Sequence, residues 1–242
     1  MCSLPGLPIG GRMYHGSSRS GIIGVDHDSS VGCHAQWFSD KEADGTVSVR
    51  PEPNRRYTID ERDQWEGRWE LVDGIPYALA APTDAHQEAS TGLLTEIRNK
   101  LRRIDHPCRV VGAPLDLACP GIAVSDDDSY NVVQPDLMIL CNPVENTSKI
   151  KETPKWIAEI LSPSSWRVDR NRKLNQYERA RISEYWIIDI LGPNVRVEVY
   201  RLLNDKYELA LHGSTDTIPL LNGAIEIDLA EVFSGLPSNR GS

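Results

Sequence analysis

Two short apolar runs, each with one carboxylate inside it, constrain the fold of this chain more than any other feature. The first run covers residues 133–140 and contains Asp136, and the second covers residues 156–161 and contains Glu159. Apolar runs of roughly four to eight residues between turn-forming residues are typical of buried strands. A carboxylate in such a strand loses hydration worth several kcal/mol unless a cation or hydrogen-bond donors replace the water. The two runs therefore predict neighbouring core strands with a cation held between Asp136 and Glu159.

The composition is that of a water-soluble globular protein. Of the 242 residues, 40% are hydrophobic and 25% are charged, which is typical of that class. No apolar run reaches the roughly 18–20 residues that span a bilayer, and the first residues lack the basic and apolar regions of a secretion signal. The five cysteines are odd in number and form no C-x-x-C pair, so we expect reduced thiols. We therefore predict a cytoplasmic protein without a membrane partner.

Residues 1–56 differ from the rest of the chain. They are rich in Gly, Ser, Pro and Asp, and their six basic and six acidic side chains balance. We expect this N-terminal extension to be disordered, followed by one folded domain over residues 57–235 and a flexible tail over 236–242. The formal net charge of −9 then belongs to residues 57–242. That charge argues against tight, unspecific nucleic-acid binding by the whole molecule.

Strand and helix signals alternate along the folded part. Asp73-Gly74 between two apolar runs predicts a hairpin over residues 69–78, because this dipeptide favours a type I′ turn. Asp84 and Gln87 have capping-box spacing and predict the start of a helix. The remaining predicted elements are a kinked strand over 109–117, the two central strands, a helix over 169–181, a strand over 184–190, a second hairpin over 195–212 and a last strand over 224–229. This order predicts an α/β domain with a mixed sheet and helices on both faces.

The predicted helix over residues 169–181 lies in a basic segment. Residues 166–181 contain six basic and two acidic side chains, a local charge of +4. Asp169, Lys173 and Tyr177 are spaced four apart and therefore share one face of the helix. By spacing alone, Asp169 and Lys173 form an ordinary surface pair worth about 0.3–0.5 kcal/mol. The alternative is that Lys173 points towards the two core carboxylates.

The two carboxylates favour a hard metal ion. Carboxylate oxygens suit Mg²⁺ or Mn²⁺ better than zinc, and magnesium commonly takes only one or two protein carboxylates. Such an ion lowers the pKa of bound water and neutralises charge that develops on a phosphate. Lys173 would supply a nearby positive charge that orients the nucleophile and stabilises the transition state.

At this point the residues resemble the PD-(D/E)XK nuclease superfamily. Pro135-Asp136, Glu159-Ile160-Leu161 and the downstream Lys173 follow its order. The chain more closely resembles the Uma family of that superfamily. The other matching residues are Tyr57-Thr58, residues 69–74, His86, residues 133–134 and 162–164, Asp169, Tyr177 and residues 184–189. The resemblance extends over residues 57–235 and implies a restriction-endonuclease-like core, with a mixed central sheet, flanking helices and added β-hairpins.

The resemblance also implies roles for individual residues. Asp136 and Glu159 would bind Mg²⁺ or Mn²⁺, with the carbonyl of Ile160 as a further ligand. Glu70 would be an upstream catalytic acid and Lys173 the catalytic lysine. Leu161 departs from the superfamily pattern, because E-x-K places lysine there; the family resembles a variant in which that lysine lies on the following helix. Accessory candidates are His86, Tyr177 and Gln134, and candidates for nucleic-acid contact are Arg167, Arg170 and Arg172.

The resulting hypothesis is a metal-dependent endonuclease that hydrolyses phosphodiester bonds, in DNA, by metal-activated water with a lysine assisting. A homodimer formed through the second hairpin is a candidate assembly. The alternative is a catalytically silent nuclease fold that binds nucleic acid or protein. The residues alone also allow structural explanations: Asp136 capping a turn or pairing with an arginine, Glu70 facing a cross-strand partner on an exposed hairpin, and His86 serving only the first turn of its helix.

Overall fold

The computed structural model describes residues 51–52, 55–118, 121, 130–163 and 169–237. Most of the predicted N-terminal extension and of the predicted tail lies outside these ranges, and so does Arg167. The strands are β1 (Trp69–Val72), β2 (Ile75–Ala78), β3 (Arg109–Gly112), β4 (Asp116–Leu117), β5 (Leu137–Leu140), β6 (Lys149–Ile150), β7 (Trp156–Ile160), β8 (Glu184–Asp189), β9 (Arg196–Leu203), β10 (Lys206–Gly213), β11 (Thr217–Leu220) and β12 (Ile225–Asp228). The helices are α1 (Ile59–Arg62), α2 (Asp84–Arg103), α3 (Leu174–Arg179) and α4 (Leu229–Val232), and a π-helical turn over Asp169–Lys173 leads directly into α3.

A six-stranded mixed sheet forms the centre of the molecule. Its strand order is β10-β9-β8-β7-β5-β3, with β7 and β8 parallel and the other neighbours antiparallel. The long helix α2 packs on one face against a core that contains Trp156 and Trp186. Tyr177 of α3 packs on the other face with Met138 and Ile157. The prediction of a mixed sheet with helices on both faces is confirmed.

The first hairpin forms where the sequence predicts it. Asp73 and Gly74 connect β1 to β2, with φ angles of 54° and 77°. Two left-handed residues in a two-residue loop match the right-handed twist of the strands, as in a type I′ turn. Gly74 is also required sterically, because a Cβ atom there would stand 2.9 Å from the Cβ of Arg56.

Helix α2 begins as predicted but uses a different cap. Thr83, one residue before the helix, accepts a hydrogen bond from the backbone N–H of His86. Asp84 is the first helical residue, so the predicted Asp84–Gln87 capping box is wrong. Threonine and aspartate side chains can both accept a hydrogen bond from a first-turn N–H. The adjacent Thr83 and Asp84 are therefore both possible caps, and the sequence alone does not show which of them is used. In the described ranges, no helix has the length and apolar character needed to cross a membrane.

The prediction of reduced thiols is wrong for one pair of cysteines. Cys108 and Cys141 form a disulfide. They flank β3 and β5, which pair antiparallel with Arg109 opposite Leu140. This register places the two cysteines opposite each other, with Cα atoms 3.9 Å apart. Their 33-residue separation gives no local signal, because the pairing depends on the register of two strands that are distant in sequence.

Candidate active site

Glu159 lies on β7 and Asp136 immediately precedes β5, and these two strands are neighbours, as predicted. Leu137 of β5 stands opposite Ala158 of β7 in an antiparallel register. One residue further along this register, Asp136 stands opposite Glu159. Directly opposed residues on an antiparallel pair project from the same face of the sheet, which here is the face covered by α3. Sheet pairing therefore brings together two acids that are 23 positions apart in the chain.

Lys173 supplies a buried cation beside Glu159. Its Nζ atom donates to Glu159 Oε1 over 3.0 Å and to Glu70 Oε1 over 2.9 Å. All three side chains are buried, and Lys173 is only 3% exposed. The interpretation of Lys173 as part of an ordinary surface pair is therefore wrong. One ammonium group between two carboxylates supplies the compensation that buried acids need.

Helix α3 provides the second donor to Glu159. The hydroxyl of Tyr177 donates to Glu159 Oε1 over 2.8 Å. Lys173 and Tyr177 are four residues apart and reach the same oxygen, so the predicted common face is confirmed for these two residues. Tyr177 is fully buried and packs edge-on against Tyr185. Its ring is part of the core, while its hydroxyl faces the acid cluster, which consists of Glu70, Asp136 and Glu159.

Glu70 is a buried member of the same cluster. It lies on β1, is 2% exposed, and accepts the backbone N–H of Gln134 at Oε1 over 2.7 Å. The alternative of an exposed cross-strand acid is wrong. The reason is that both faces of β1 are covered, so a residue that alternation would place outside is enclosed by the chain around Gln134 and by Lys173.

Asp136 is the most accessible of the three acids, with 20% of its side chain exposed. Its Oδ2 atom accepts the backbone N–H of Ile160 over 2.7 Å and lies 3.2 Å from Nε2 of His86. His86 stands in the first turn of α2, and its own N–H is bound to Thr83. His86 therefore has a role in the first turn and also reaches the site.

A polar network beside the site was not apparent from the sequence. The side-chain amide of Gln134 donates to Asp116 Oδ1 over 2.8 Å and accepts from Arg68 over 2.8 Å. Arg62 then donates to Asp116 Oδ2 over 2.6 Å. These contacts fix the segment whose backbone holds Glu70. Their partners lie 54 and 66 residues apart, so only the fold brings them together.

The π-helical turn that carries Lys173 is anchored to the sheet. Arg170 donates to Asp189 over 3.2 Å and to Glu198 over 2.6 Å. On α3, the amide of Gln176 donates to buried Asn131 over 2.6 Å. Arg172 projects outwards instead, with its guanidinium 5.7 Å from the ring centroid of Tyr77. Of the arginines predicted to contact nucleic acid, Arg170 is therefore held in ion pairs, whereas Arg172 is exposed.

Glu198, which binds Arg170, also accepts a hydrogen bond from Tyr200, and this contact leads to a prediction about alkaline stability. Burial raises the pKa of Tyr200 from 10.0 to about 12, and the hydrogen bond from its hydroxyl to Glu198 and the charge of that carboxylate act in the same direction. A raised pKa gives stability that is present below the unfolded value and is lost as the pH rises through the folded value. We expect the urea midpoint of the wild type to fall more steeply between pH 10 and 12 than that of Tyr200→Phe. Parallel pH dependences would contradict this assignment.

The Uma2 family model, described as "Putative restriction endonuclease", matches residues 56–230. The chain belongs to the Uma2 family. Among solved structures, it is similar to "a putative nuclease belonging to DUF820" from Anabaena variabilis ATCC 29413. The two are 19% identical, with 74% of this chain and 98% of that chain covered and a TM-score of 0.58. This likeness confirms the predicted fold. No curated protein matches the chain.

Membership of the Uma2 family supports a nuclease function, and hence a nucleic-acid substrate. Metal binding at the Uma2 site depends on how many protein ligands the ion needs. Within the described ranges, no three or more His, Cys, Asp or Glu side chains are grouped to hold a metal. Magnesium, however, is commonly bound through one or two carboxylates, with water completing its shell. Opposed Asp136 and Glu159, the former partly accessible, fit that smaller requirement.

Proposed function

We propose that this Uma2 protein is a magnesium-dependent endonuclease that hydrolyses phosphodiester bonds in DNA. The observation that carries the proposal is the position of Asp136, immediately before β5, opposite Glu159 on the paired strand β7, with Lys173 buried against Glu159. A sheet core that encloses a lysine and several acids is costly to build. Ionisable groups gathered in this way are characteristic of catalytic sites.

Asp136 and Glu159, together with the backbone carbonyl of Ile160, would hold Mg²⁺ or Mn²⁺. When bound, the ion would act as a Lewis acid that promotes ionisation of water and neutralises charge on the phosphate. The N–H of Ile160 and the imidazole of His86 orient the Asp136 carboxylate. Tyr177 and Lys173 hold one oxygen of Glu159 in place. Each carboxylate is therefore fixed by donors of the chain before any ligand arrives.

Lys173 would assist the hydrolysis, with Glu70 holding its ammonium in position. In the reaction, a water oxygen forms a bond to phosphorus, and the bond from phosphorus to one sugar oxygen breaks. The water loses a proton, the leaving oxygen gains one, and the products are a phosphomonoester end and a hydroxyl end. A fixed positive charge beside the phosphate stabilises the negative charge that develops in the transition state.

Arg172 is the proposed contact for the nucleic-acid backbone. It is exposed and directly follows Arg170 and Asn171 on the turn that carries Lys173. Tyr77, beneath its guanidinium, stands opposite Glu70 in the first hairpin. An exposed arginine at the edge of the acid cluster would attract phosphates and position them near the site. Arg167 remains a further candidate outside the described ranges, and Arg170 remains one despite its two ion pairs.

One observation favours the second candidate, a catalytically silent module that binds nucleic acid or protein. The Lys173 ammonium already lies between Glu70 and Glu159. Those two acids therefore have a compensating charge without any metal. In a silent module, the cluster would be a structural device that joins α3 to β1 and β7.

The experiment is a cleavage assay on plasmid DNA, single-stranded DNA and RNA, with Mg²⁺, Mn²⁺ or a chelator. We expect the wild type to cleave DNA only when a metal is present, and Lys173→Ala to be impaired. Arg98→Ala, which removes an exposed arginine from α2, serves as the control. Faster cleavage of RNA than of DNA would identify RNA as the substrate. Absence of cleavage, or cleavage that persists unchanged in Lys173→Ala and in the chelator, would refute the proposal.

A further inference from the structure

Strand β10 forms one edge of the central sheet. In the described ranges it pairs only with β9. Its two middle leucines, Leu209 and Leu211, are 53% and 70% exposed. Open edges with exposed apolar residues readily pair with another strand, and proteins normally protect them with charges, bulges or covering segments.

The backbone hydrogen bonds show which residues of β10 face outwards. Leu202 stands opposite Tyr207 but donates its N–H to Ser183, on the far side of β9. The Leu202–Tyr207 pair is therefore not joined by ladder bonds, so the backbone groups of Tyr207 point to the open edge. Because such pairs alternate along antiparallel strands, Leu209, Leu211 and Gly213 also present their backbone groups outwards.

The two ends of this edge are closed by carboxylates of the same chain. The N–H of Tyr207 donates to Glu178 over 2.8 Å, and the N–H of Gly213 donates to Asp216 over 3.0 Å. No hydrogen bond among the described residues uses the outward groups of Leu209 or Leu211. The edge is thus protected at both ends and open at its two exposed leucines.

From this pattern we infer that β10 pairs antiparallel with β10 of a second copy of the chain, about a two-fold axis at Ala210. Leu209 then stands opposite Leu211 of the second copy, and Leu211 opposite its Leu209. Each of these pairs exchanges two hydrogen bonds. A shift of the axis to Leu209 or Leu211 would require the N–H of Tyr207 or Gly213, which is already bound. Only the Ala210 register uses the open groups and leaves both caps intact.

The side chains of β10 are complementary in this register. On one face, two pairs of exposed leucines cover each other. On the other face, exposed Glu208 stands opposite His212 of the second copy, so that an acid meets a basic residue. His212 also lies 3.3 Å from its own Asp216. An interface in which one patch pairs with its own copy is isologous, as expected of a two-fold dimer.

The inference does not depend on the proposed function. Glu159 lies on β7, three strands from β10 in the sheet, and no residue of the acid cluster lies at the proposed interface. Substitutions on β10 therefore change the assembly without altering the candidate active site.

Light scattering after size exclusion, over a wide range of protein concentrations, tests the inference on the full chain. We expect the wild type to approach twice the 27.0 kDa of one chain. Combined Leu209→Lys and Leu211→Lys should give the mass of one chain, because like charges then oppose each other in both leucine pairs. Combined Leu209→Lys and Leu211→Glu should restore the doubled mass, because in this register each new cation opposes a new anion.

Leu203→Lys is the matched control. Leu203 is 49% exposed on the same hairpin but lies on β9, outside the proposed pairs, and its substitution should leave the doubled mass unchanged. Circular dichroism establishes that each variant is folded. A single-chain mass for the wild type at every concentration would overturn the inference. So would a doubled mass in the two-lysine variant, or a single-chain mass in the lysine–glutamate variant.

Discussion

Replacing Lys173 with methionine is expected to lower the free energy of unfolding by about 3–5 kcal/mol, which is the usual cost of removing one partner from a buried ion pair. Lys173 is 3% exposed and bridges Glu70 and Glu159. Methionine fills a similar space but leaves the two carboxylates without the compensating charge. Urea unfolding at neutral pH measures the loss, and it should be among the largest that a single substitution causes in this chain.

Lys206→Met is the matched control for that change. Lys206 also binds a glutamate, Glu178, over 2.8 Å, but its side chain is 78% exposed. Exposed pairs contribute less than about 1 kcal/mol, so this variant should remain close to wild type. Adding Glu70→Gln and Glu159→Gln to Lys173→Met should recover much of the lost stability, because no buried charge then stands alone. Equal losses in Lys173→Met and Lys206→Met would contradict a buried charge cluster.

Asp136→Asn is expected to lower the rate of DNA cleavage on the order of a thousandfold, because it removes a ligand of the metal ion that would stabilise the developing charge, and losing such stabilisation has effects of this size. Asparagine keeps the shape of aspartate, and its oxygen can still accept the N–H of Ile160. The free energy of unfolding should therefore change far less than in Lys173→Met. The readouts are the initial rate of plasmid cleavage and the urea midpoint.

Asp205→Asn controls for the loss of one carboxylate. Asp205 pairs with Arg181 in an exposed ion pair on the second hairpin, away from the acid cluster, and its replacement should leave the cleavage rate unchanged. An Asp136→Asn protein that is folded and cleaves at the wild-type rate would remove Asp136 from the reaction.

The sequence was most informative where chemistry conflicts with a local pattern. Asp136 and Glu159 interrupt apolar runs, so their burial predicts that each needs a compensating partner and that the two strands are neighbours. The spacing of Lys173 and Tyr177 predicts a shared helix face, and both side chains reach Glu159. The Asp73-Gly74 turn and the β9–β10 hairpin are encoded in a few adjacent residues. These are local signals, and the structure confirms them.

The features that the sequence did not reveal depend on contacts between distant segments. The Cys108–Cys141 disulfide requires the register of β3 with β5. Asp116 accepts hydrogen bonds from both Arg62 and Gln134, which joins three separate segments of the chain. For Glu70, the resemblance implies a catalytic role, whereas the residues alone also allow an exposed position on the hairpin. Strand β1 is buried, which excludes the exposed position. Local periodicity carries no information about which surfaces the fold later covers.

Calorimetric titration of the full chain with Mg²⁺ and Mn²⁺ shows whether Asp136 and Glu159 together hold a divalent cation. We expect saturable binding to the wild type and to Asp205→Asn. We expect that binding to be lost in both Asp136→Asn and Glu159→Gln, with circular dichroism showing that each is folded. A wild type that binds neither ion, or binding that is unchanged in both variants, would contradict this expectation.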